Sequence, residues 1–295
     1  MSRKARRTQM SRKSRKVRML PVQKIPKARK LPGENTAGTA AGKRMKNEKI
    51  PLKEGERLDD LQRGGFFLIQ NPKYFCFGMD AVLLSAFACA REEEKILDLG
   101  TGTGIVPVLM SARYGGGKYT GLEINEACCD MAQRSVQLNG LDDRITILKG
   151  DIREADRIYP AASFDVVTAN PPYMAPGHGR ENADPMVAAA RHEVCCTLED
   201  VVYAAGHALG DQGRFYLVHR PFRLAEIFRA LNRHRMEPKR MQLVFPYADK
   251  EPNLVLIEAR KGAKARLQVE KPLVIYRGKG VYTQELLDIY YDQTV

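Results

Sequence analysis

The stretch Asp98-Leu99-Gly100-Thr101-Gly102-Thr103-Gly104 constrains the fold more than any other part of the chain. Glycines at alternate positions follow a short apolar run, Lys95–Leu99, and precede a helical pattern over Ile105–Arg113. A turn this rich in glycine lets the backbone leave a strand tightly, enter a helix at once and approach a ligand closely, because no side chain intervenes. Strand, turn and helix make the first half of a βαβ unit, and the rest of the chain repeats the alternation. Strand-like runs fall at Lys95–Leu99, Tyr119–Glu123, Ile145–Lys149, Phe164–Ala169, Arg214–His219, Met241–Phe245 and Asn253–Ala259. Helical patterns fall at Ile105–Arg113, Glu126–Asn139, Leu198–Leu209 and Leu224–His234. The pattern predicts an α/β fold, a seven-stranded and mostly parallel sheet with helices on both faces. Asn139-Gly140 and Leu209-Gly210 are the expected helix C-caps. Pro246–Pro252 is too short for a crossover helix, so the last two strands should form an antiparallel hairpin.

Four segments are expected along the 295 residues. Residues 1–50 form a basic arm, 51–94 an N-terminal cap, 95–262 the α/β domain and 263–295 a C-terminal extension. Within the cap, Leu58–Leu84 reads as a hairpin turning at Gly64-Gly65, followed by a helix that starts near Asp80. The extension offers an edge strand at Leu273–Tyr276 and a helix over Thr283–Tyr290, with Thr283 as N-cap.

Charge separates the arm from the rest. Residues 1–50 hold 17 Lys or Arg and 2 acidic residues, so their balance is +15 against −2 for residues 51–295, within a total of +13. The first 30 residues contain 13 basic and no acidic side chains. Such an arm is expected to lack a packed core and to attract a polyanion by neutralising phosphates. Nucleic acid is the natural partner, with a membrane surface or a transit function as alternatives. Met45 is an equally good start, so residues 1–44 are either this phosphate contact or dispensable. No apolar stretch approaches the 18 residues of a membrane span, and the six cysteines lack metal-ligand spacing. A cytoplasmic protein with reduced cysteines, no metal and no membrane association is expected.

The glycine spacing also bears on the ligand. A dinucleotide fingerprint needs G-x-G-x-x-G, whereas here the third glycine, Gly104, comes one position early. Glu123 ends the second strand about 20 residues further on, where a carboxylate can accept from both hydroxyls of a ribose. Asp151, just past the third strand, is placed to accept from an adenine amine while Ile152 packs on the ring. Asp98 is placed to orient the loop and to hold a ligand amino group. After the fourth strand comes Asn170-Pro171-Pro172-Tyr173. The prolines fix their own φ and hold the preceding residues extended. A side-chain amide, carbonyls without neighbouring N–H groups and an aromatic ring are thereby presented at a strand end. The Asn170 and Pro171 carbonyls can accept the two hydrogens of a planar amine, and Tyr173 can stack on its ring.

On these residues the chain, over roughly 60–262, resembles the class I S-adenosylmethionine-dependent methyltransferases. The resemblance implies a Rossmann-like sheet ending in an antiparallel hairpin. Asp98, Gly100, Gly102 and Gly104 would form the first cofactor motif, Glu123 the ribose acid, Asp151 and Ile152 the adenine contact, and Asn170 to Tyr173 the amino-methyltransferase motif. More narrowly, four stretches are similar to the bacterial methyltransferases that modify N6 of the adenine 3′ of the anticodon in a valine tRNA. They are Glu56-Arg57-Leu58-Asp59-Asp60-Leu61, Phe77-Gly78-Met79-Asp80-Ala81-Val82-Leu83-Leu84, Asn-Pro-Pro-Tyr and Ala190-Arg191-His192-Glu193. The resemblance implies that Asp80 helps close the cofactor pocket and that Arg191 and His192 meet phosphate or the flipped nucleotide. Met79 stands where the family more often has a small residue, and the long basic arm is unusual. Other targets that fit the motif are a guanine N2 in rRNA, a DNA adenine and a protein glutamine amide. A non-catalytic RNA-binding role is the alternative outside enzymes.

Overall fold

The computed structural model describes residues 50–74, 76–173 and 196–291. Two short strands, β1 (Arg57–Asp60) and β2 (Phe67–Gln70), form an antiparallel hairpin. Gly64 and Gly65 at its tip have φ of +62° and +67°, as a tight reversal requires. Helix α1 (Met79–Phe87) follows, and the alternating core begins with β3 (Lys95–Leu99) and α2 (Ile105–Tyr114). It continues through β4 (Lys118–Glu123), α3 (Glu126–Leu138), β5 (Ile145–Lys149), the short α4 (Ala155–Ile158) and β6 (Phe164–Ala169). After the Asn-Pro-Pro-Tyr segment come α5 (Leu198–Ala208), β7 (Leu209–His219), α6 (Leu224–Arg233), β8 (Met236–Tyr247) and β9 (Leu254–Lys261). The C-terminal part adds β10 (Gln268–Val269), β11 (Leu273–Gly278), β12 (Val281–Tyr282) and α7 (Gln284–Tyr290).

One sheet runs in the order β12-β11-β8-β9-β7-β6-β3-β4-β5, with β10 also paired to β8. Strands β5, β4, β3, β6 and β7 are mutually parallel, and β9 is antiparallel to both of its neighbours. The short connection after β8 therefore makes the expected hairpin. The seven strands read from the sequence are all present, but the sheet is wider. Residues 268–282 extend it, because β11 pairs parallel to β8 and β12 folds back on β11.

A core cluster under α5 and α6 joins Val201, Ala205, Ile227 and Leu231 to Leu97, Val167, Phe215 and Leu217 of the sheet. Helices α1, α2 and α7 pack together elsewhere on the sheet, and α3 supports β5 and the β1–β2 hairpin. Arg134 of α3, bonded to Glu56 at 2.5 Å and to Asp130 at 2.6 Å, pins the chain entering that hairpin. Arg63 and Arg113 donate to the Ile289 carbonyl at the end of α7, satisfying carbonyls that a helix terminus leaves unpaired. Thr283 caps α7 as expected, its Oγ1 accepting from Leu286 N.

Helix caps divide. Gly140, at φ +63°, follows α3 as expected. Leu209 is the C-cap of α5, as expected, its N–H donating to the Ala205 carbonyl, but no left-handed glycine follows it. Leu209 is extended, at φ −75° and ψ 136°, and pairs with Phe164 as the first residue of β7. Glycines 210 and 213 instead serve a bulge, since the register between β6 and β7 shifts there and a Cβ on Gly213 would stand 2.9 Å from the Gly210 carbonyl.

Candidate active site

Parallel pairing brings the sequence-predicted residues to one rim. Asp98 pairs with Thr168 and with Gly121, while Leu99 pairs with Ala169 and Leu122. The glycine turn, the Asn-Pro-Pro-Tyr segment and Glu123 therefore leave adjacent strand ends, about 4.8 Å apart per strand. Glu123 pairs with Lys149 of β5, so Asp151 stands one strand further along.

The glycine turn is tied down from three sides. Gly100 N and Thr101 N both donate to the Leu122 carbonyl, and Gly102 N donates to Glu123 Oε2 at 2.9 Å. Glu123 Oε1 accepts from Asn125 N at 2.8 Å, so this carboxylate braces the turn before it meets any ligand. Burial pushes Glu123 above the usual carboxylate range, against the pull of those backbone donors. From above, the fully buried Gln70 at the end of β2 donates to Thr103 Oγ1 at 2.5 Å and accepts from Phe77 N. Nothing in the sequence marks Gln70 for this task beyond a polar residue closing a short strand.

Gly104, at φ +87°, packs so that a Cβ would meet Ala132 Cβ of α3 at 3.4 Å, which joins the turn to a second helix. Gly100, at φ +71°, faces Ile152, whose Cδ1 is 3.8 Å from where a Cβ would stand. A Cβ on Gly102 would meet nothing within 4 Å. The turn therefore borders open space, walled by Ile152 and the acids at the strand ends, where a ligand can lie against bare backbone.

Asp98 is 2% exposed and accepts from Thr168 Oγ1 at 2.6 Å. Burial pushes its carboxyl up to about 7, the Thr168 hydroxyl opposing and the Glu123 charge adding. A buried acid poised there is suited to pair with a cationic amine. Asp151 caps the turn after β5 and is held by Arg153, which contributes its backbone N at 2.9 Å and its guanidinium at 2.5 Å. That partner lowers the Asp151 pKa.

Asn170 follows β6 directly, and Pro171 behind it is buried. Tyr173 Oη lies 2.5 Å from Asp80 Oδ2 and 2.7 Å from Asn170 Oδ1. Burial, and then the Asp80 charge, hold the phenol well above its ordinary pKa, so it keeps its proton. A phenol has one proton for two acceptors, and the carboxylate is the stronger of them. The Asn170 amide carbonyl faces the phenol at 2.7 Å, so Tyr173 fixes the plane of the amide. Asp80, 8% exposed in the first turn of α1, is thus the fixed end of a relay that orients Asn170.

Two further residues of this site carry no sequence signal for it. His219, fully buried at the end of β7, lies 5.3 Å from the Tyr173 ring and accepts from Arg220 N through Nδ1 at 2.8 Å. Burial, with the Arg223 charge adding, pushes it down to about 3, so it is neutral with its proton on Nε2. The Arg220 guanidinium lies 4.8 Å over the Tyr173 ring. A base stacking on Tyr173 must use what Arg220 leaves open. Arg191 and His192 lie outside the described residues.

A parallel sheet closed by the antiparallel β9, with the glycine turn, Glu123 and Asn-Pro-Pro-Tyr on one rim, is the arrangement of a Rossmann-like S-adenosylmethionine-dependent methyltransferase. The chain belongs to the methyltransferase small-domain family, whose family model matches residues 78–235. It is 29% identical over 217 residues to a tRNA1(Val) (adenine(37)-N6)-methyltransferase from Porphyromonas gingivalis, covering 70% of this chain and 84% of that protein. A protein of the same description from Dickeya chrysanthemi is 30% identical over 218 residues, covering 70% and 83%. Among solved structures, a predicted O-methyltransferase from Agrobacterium tumefaciens superposes with a TM-score of 0.59 at 26% identity, over 72% of this chain and 95% of that one. The bare backbone at Gly100 and Gly102, beside Ile152 and braced by Glu123, leaves room for the cofactor against the turn. Among the described residues, no helix is long and apolar enough to cross a membrane.

Proposed function

We propose that this enzyme methylates an exocyclic amine of RNA in the cytoplasm, and specifically N6 of the adenine at position 37, beside the anticodon, of a tRNA. The observation that carries the reading is the Asn170 amide held by Tyr173 and Asp80 next to the glycine turn. An amine conjugated to a ring is a poor nucleophile because its lone pair is delocalised. The Asn170 side-chain carbonyl and the Pro171 backbone carbonyl accept its two hydrogens, which favours a pyramidal nitrogen and directs the lone pair outward. S-adenosylmethionine supplies a methyl activated by its sulfonium, held by Asp98, Glu123, Asp151 and Ile152, with Asp80 closing the pocket. Positioning and fixed dipoles do the catalytic work, and the methylated nitrogen is acidic enough to give its proton to water. The target base leaves its stack to reach the rim, where Tyr173 meets it and Arg191 and His192 contact the nucleotide. Residues 1–44 add phosphate contacts that carry no sequence information.

The relatives' names support the substrate, and the motif chemistry supports the amine. Asn170→Ala should abolish transfer while S-adenosylmethionine still binds by calorimetry. Retained N6-methyladenosine in tRNA by nucleoside mass spectrometry would remove Asn170 from the mechanism. Labelled methyl counted in total RNA and in total protein separates this substrate from a glutamine amide.

A further inference from the structure

Beyond the rim, the sheet carries an aromatic row that the reaction does not use. Tyr247 at the end of β8, Tyr276 of β11 and Tyr282 of β12 are register partners. Their rings stack at centroid distances of 5.2 and 5.0 Å, with interplanar angles of 27° and 23°. All three are only partly buried. Side chains alternate along a strand, so Tyr247 shares its face with Leu243 and Met241, which pack on the α5 and α6 cluster. The row thus continues the face that α6 covers, past the point where α6 ends its cover. Phe222, on the turn between β7 and α6 and next but one to Arg220, is 76% exposed. At about 4.8 Å per strand, the row stands about 10 to 19 Å to the side of β7, on the catalytic edge of the sheet.

Charge decides what can cover it. From Lys271 to Gln284 there are three basic and no acidic residues, and Arg277 near the end of β11 and Lys279 in the turn after it are exposed. Asp249, the near acid after β8, is bonded to Lys250. A surface of stacked aromatics bordered by exposed cations suits a polyanion with flat bases.

We infer that Phe222, Tyr247, Tyr276 and Tyr282, with Arg277 and Lys279, form the track on which the RNA substrate lies as its target adenine reaches Asn170. This rests on the RNA reading above. The cations neutralise phosphates, and Phe222 and the end rings of the row extend the stacking of unpaired bases.

The test uses the full-length enzyme with a labelled tRNA transcript, comparing wild type with F222A, Y282A, Y282F and the charge reversal R277E/K279E. Steady-state methylation gives KM and kcat, anisotropy gives RNA Kd, calorimetry gives S-adenosylmethionine affinity, and light scattering gives the oligomeric state. Expected are increases of about tenfold in RNA KM and Kd for F222A and Y282A, the low end of one stacked base, and a larger increase for R277E/K279E. Y282F should restore RNA affinity, and kcat and cofactor affinity should stay at wild-type values. Wild-type RNA KM in all variants overturns the track alone. Loss of cofactor affinity in step with RNA affinity assigns the row to folding and also overturns it. A change of oligomeric state in Y282A, with RNA affinity kept, makes the face an interface between copies instead. A wild-type enzyme that methylates protein and no RNA overturns the substrate reading, and the track with it.

Discussion

Replacing Tyr173 by Phe removes one oxygen from the centre of the site and leaves the ring in place. The hydroxyl contacts Asp80 at 2.5 Å and Asn170 at 2.7 Å. Without it, Asp80 keeps, among the described residues, the Ala81 N–H at 3.0 Å, and the Asn170 amide loses the group that sets which way it faces. A hydrogen bond to a charged group contributes roughly 1.5–3 kcal/mol. If that energy is spent holding Asn170 in its reactive orientation, kcat should fall about 10- to 150-fold, since each 1.36 kcal/mol is one decade. The KM for RNA should change little, because Phe stacks as Tyr does. Single-turnover methylation of a tRNA transcript at saturating RNA and cofactor measures the chemical step directly. D80A should cost a similar factor, and the Y173F/D80A double variant should cost much less than the product of the two, because both break one relay. Y173F with a wild-type rate, beside Y173L with weakened RNA binding, would refute the argument. The tyrosine would then act only as a ring.

Three further outcomes follow from the same geometry. Asp98 sits at about 7 when unliganded, and an ammonium beside it draws that value down, so cofactor binding releases a proton. S-adenosylmethionine affinity should therefore rise with pH up to about 7 and then level, with proton uptake by the buffer measurable in calorimetry at pH 6; D98N should lose both the slope and the proton. Gly104→Ala puts a Cβ 3.4 Å from Ala132 at φ +87°, so the melting temperature should drop by an amount equivalent to about 1–2 kcal/mol, and an unchanged melting curve would show the turn is slack. Deleting residues 1–44 should weaken tRNA binding and flatten its dependence on salt, as fewer counterions are released; an identical salt slope would show that the arm makes no phosphate contact.

Most of the fold was legible because it depends on local periodicity. Seven short apolar runs at strand length, separated by helical patterns, leave few arrangements that bury them all, and the six-residue link between β8 and β9 forces an antiparallel pair. What escaped was set by pairing at a distance. Leu273–Tyr276 reads as an edge strand, yet β11 is one strand from the edge, and β12, only two residues long, gives no periodic signal of its own. Leu209 caps α5 as its composition suggested, but β6 also offers it a strand partner, so it leaves the helix extended and the glycines go to the bulge.

The site divides along the same line, and the division says how it works. Glycines, strand-end acids and the Asn-Pro-Pro-Tyr turn were readable because each is local, a residue type at a required place after a strand. The Tyr173–Asp80 bond spans 93 residues, the Gln70–Thr103 bond 33 and the Thr168–Asp98 bond 70. None of these pairs is implied by spacing. Each one fixes a group that the local motif only supplies: Asp80 and Tyr173 orient the Asn170 carbonyl, Gln70 holds the glycine turn, and Thr168 steadies Asp98 below its strand end. The motif residues bring chemistry that a flexible peptide would also possess. The long-range bonds make that chemistry directional, and for an amine whose lone pair must be aimed rather than deprotonated, direction is what the protein has to provide.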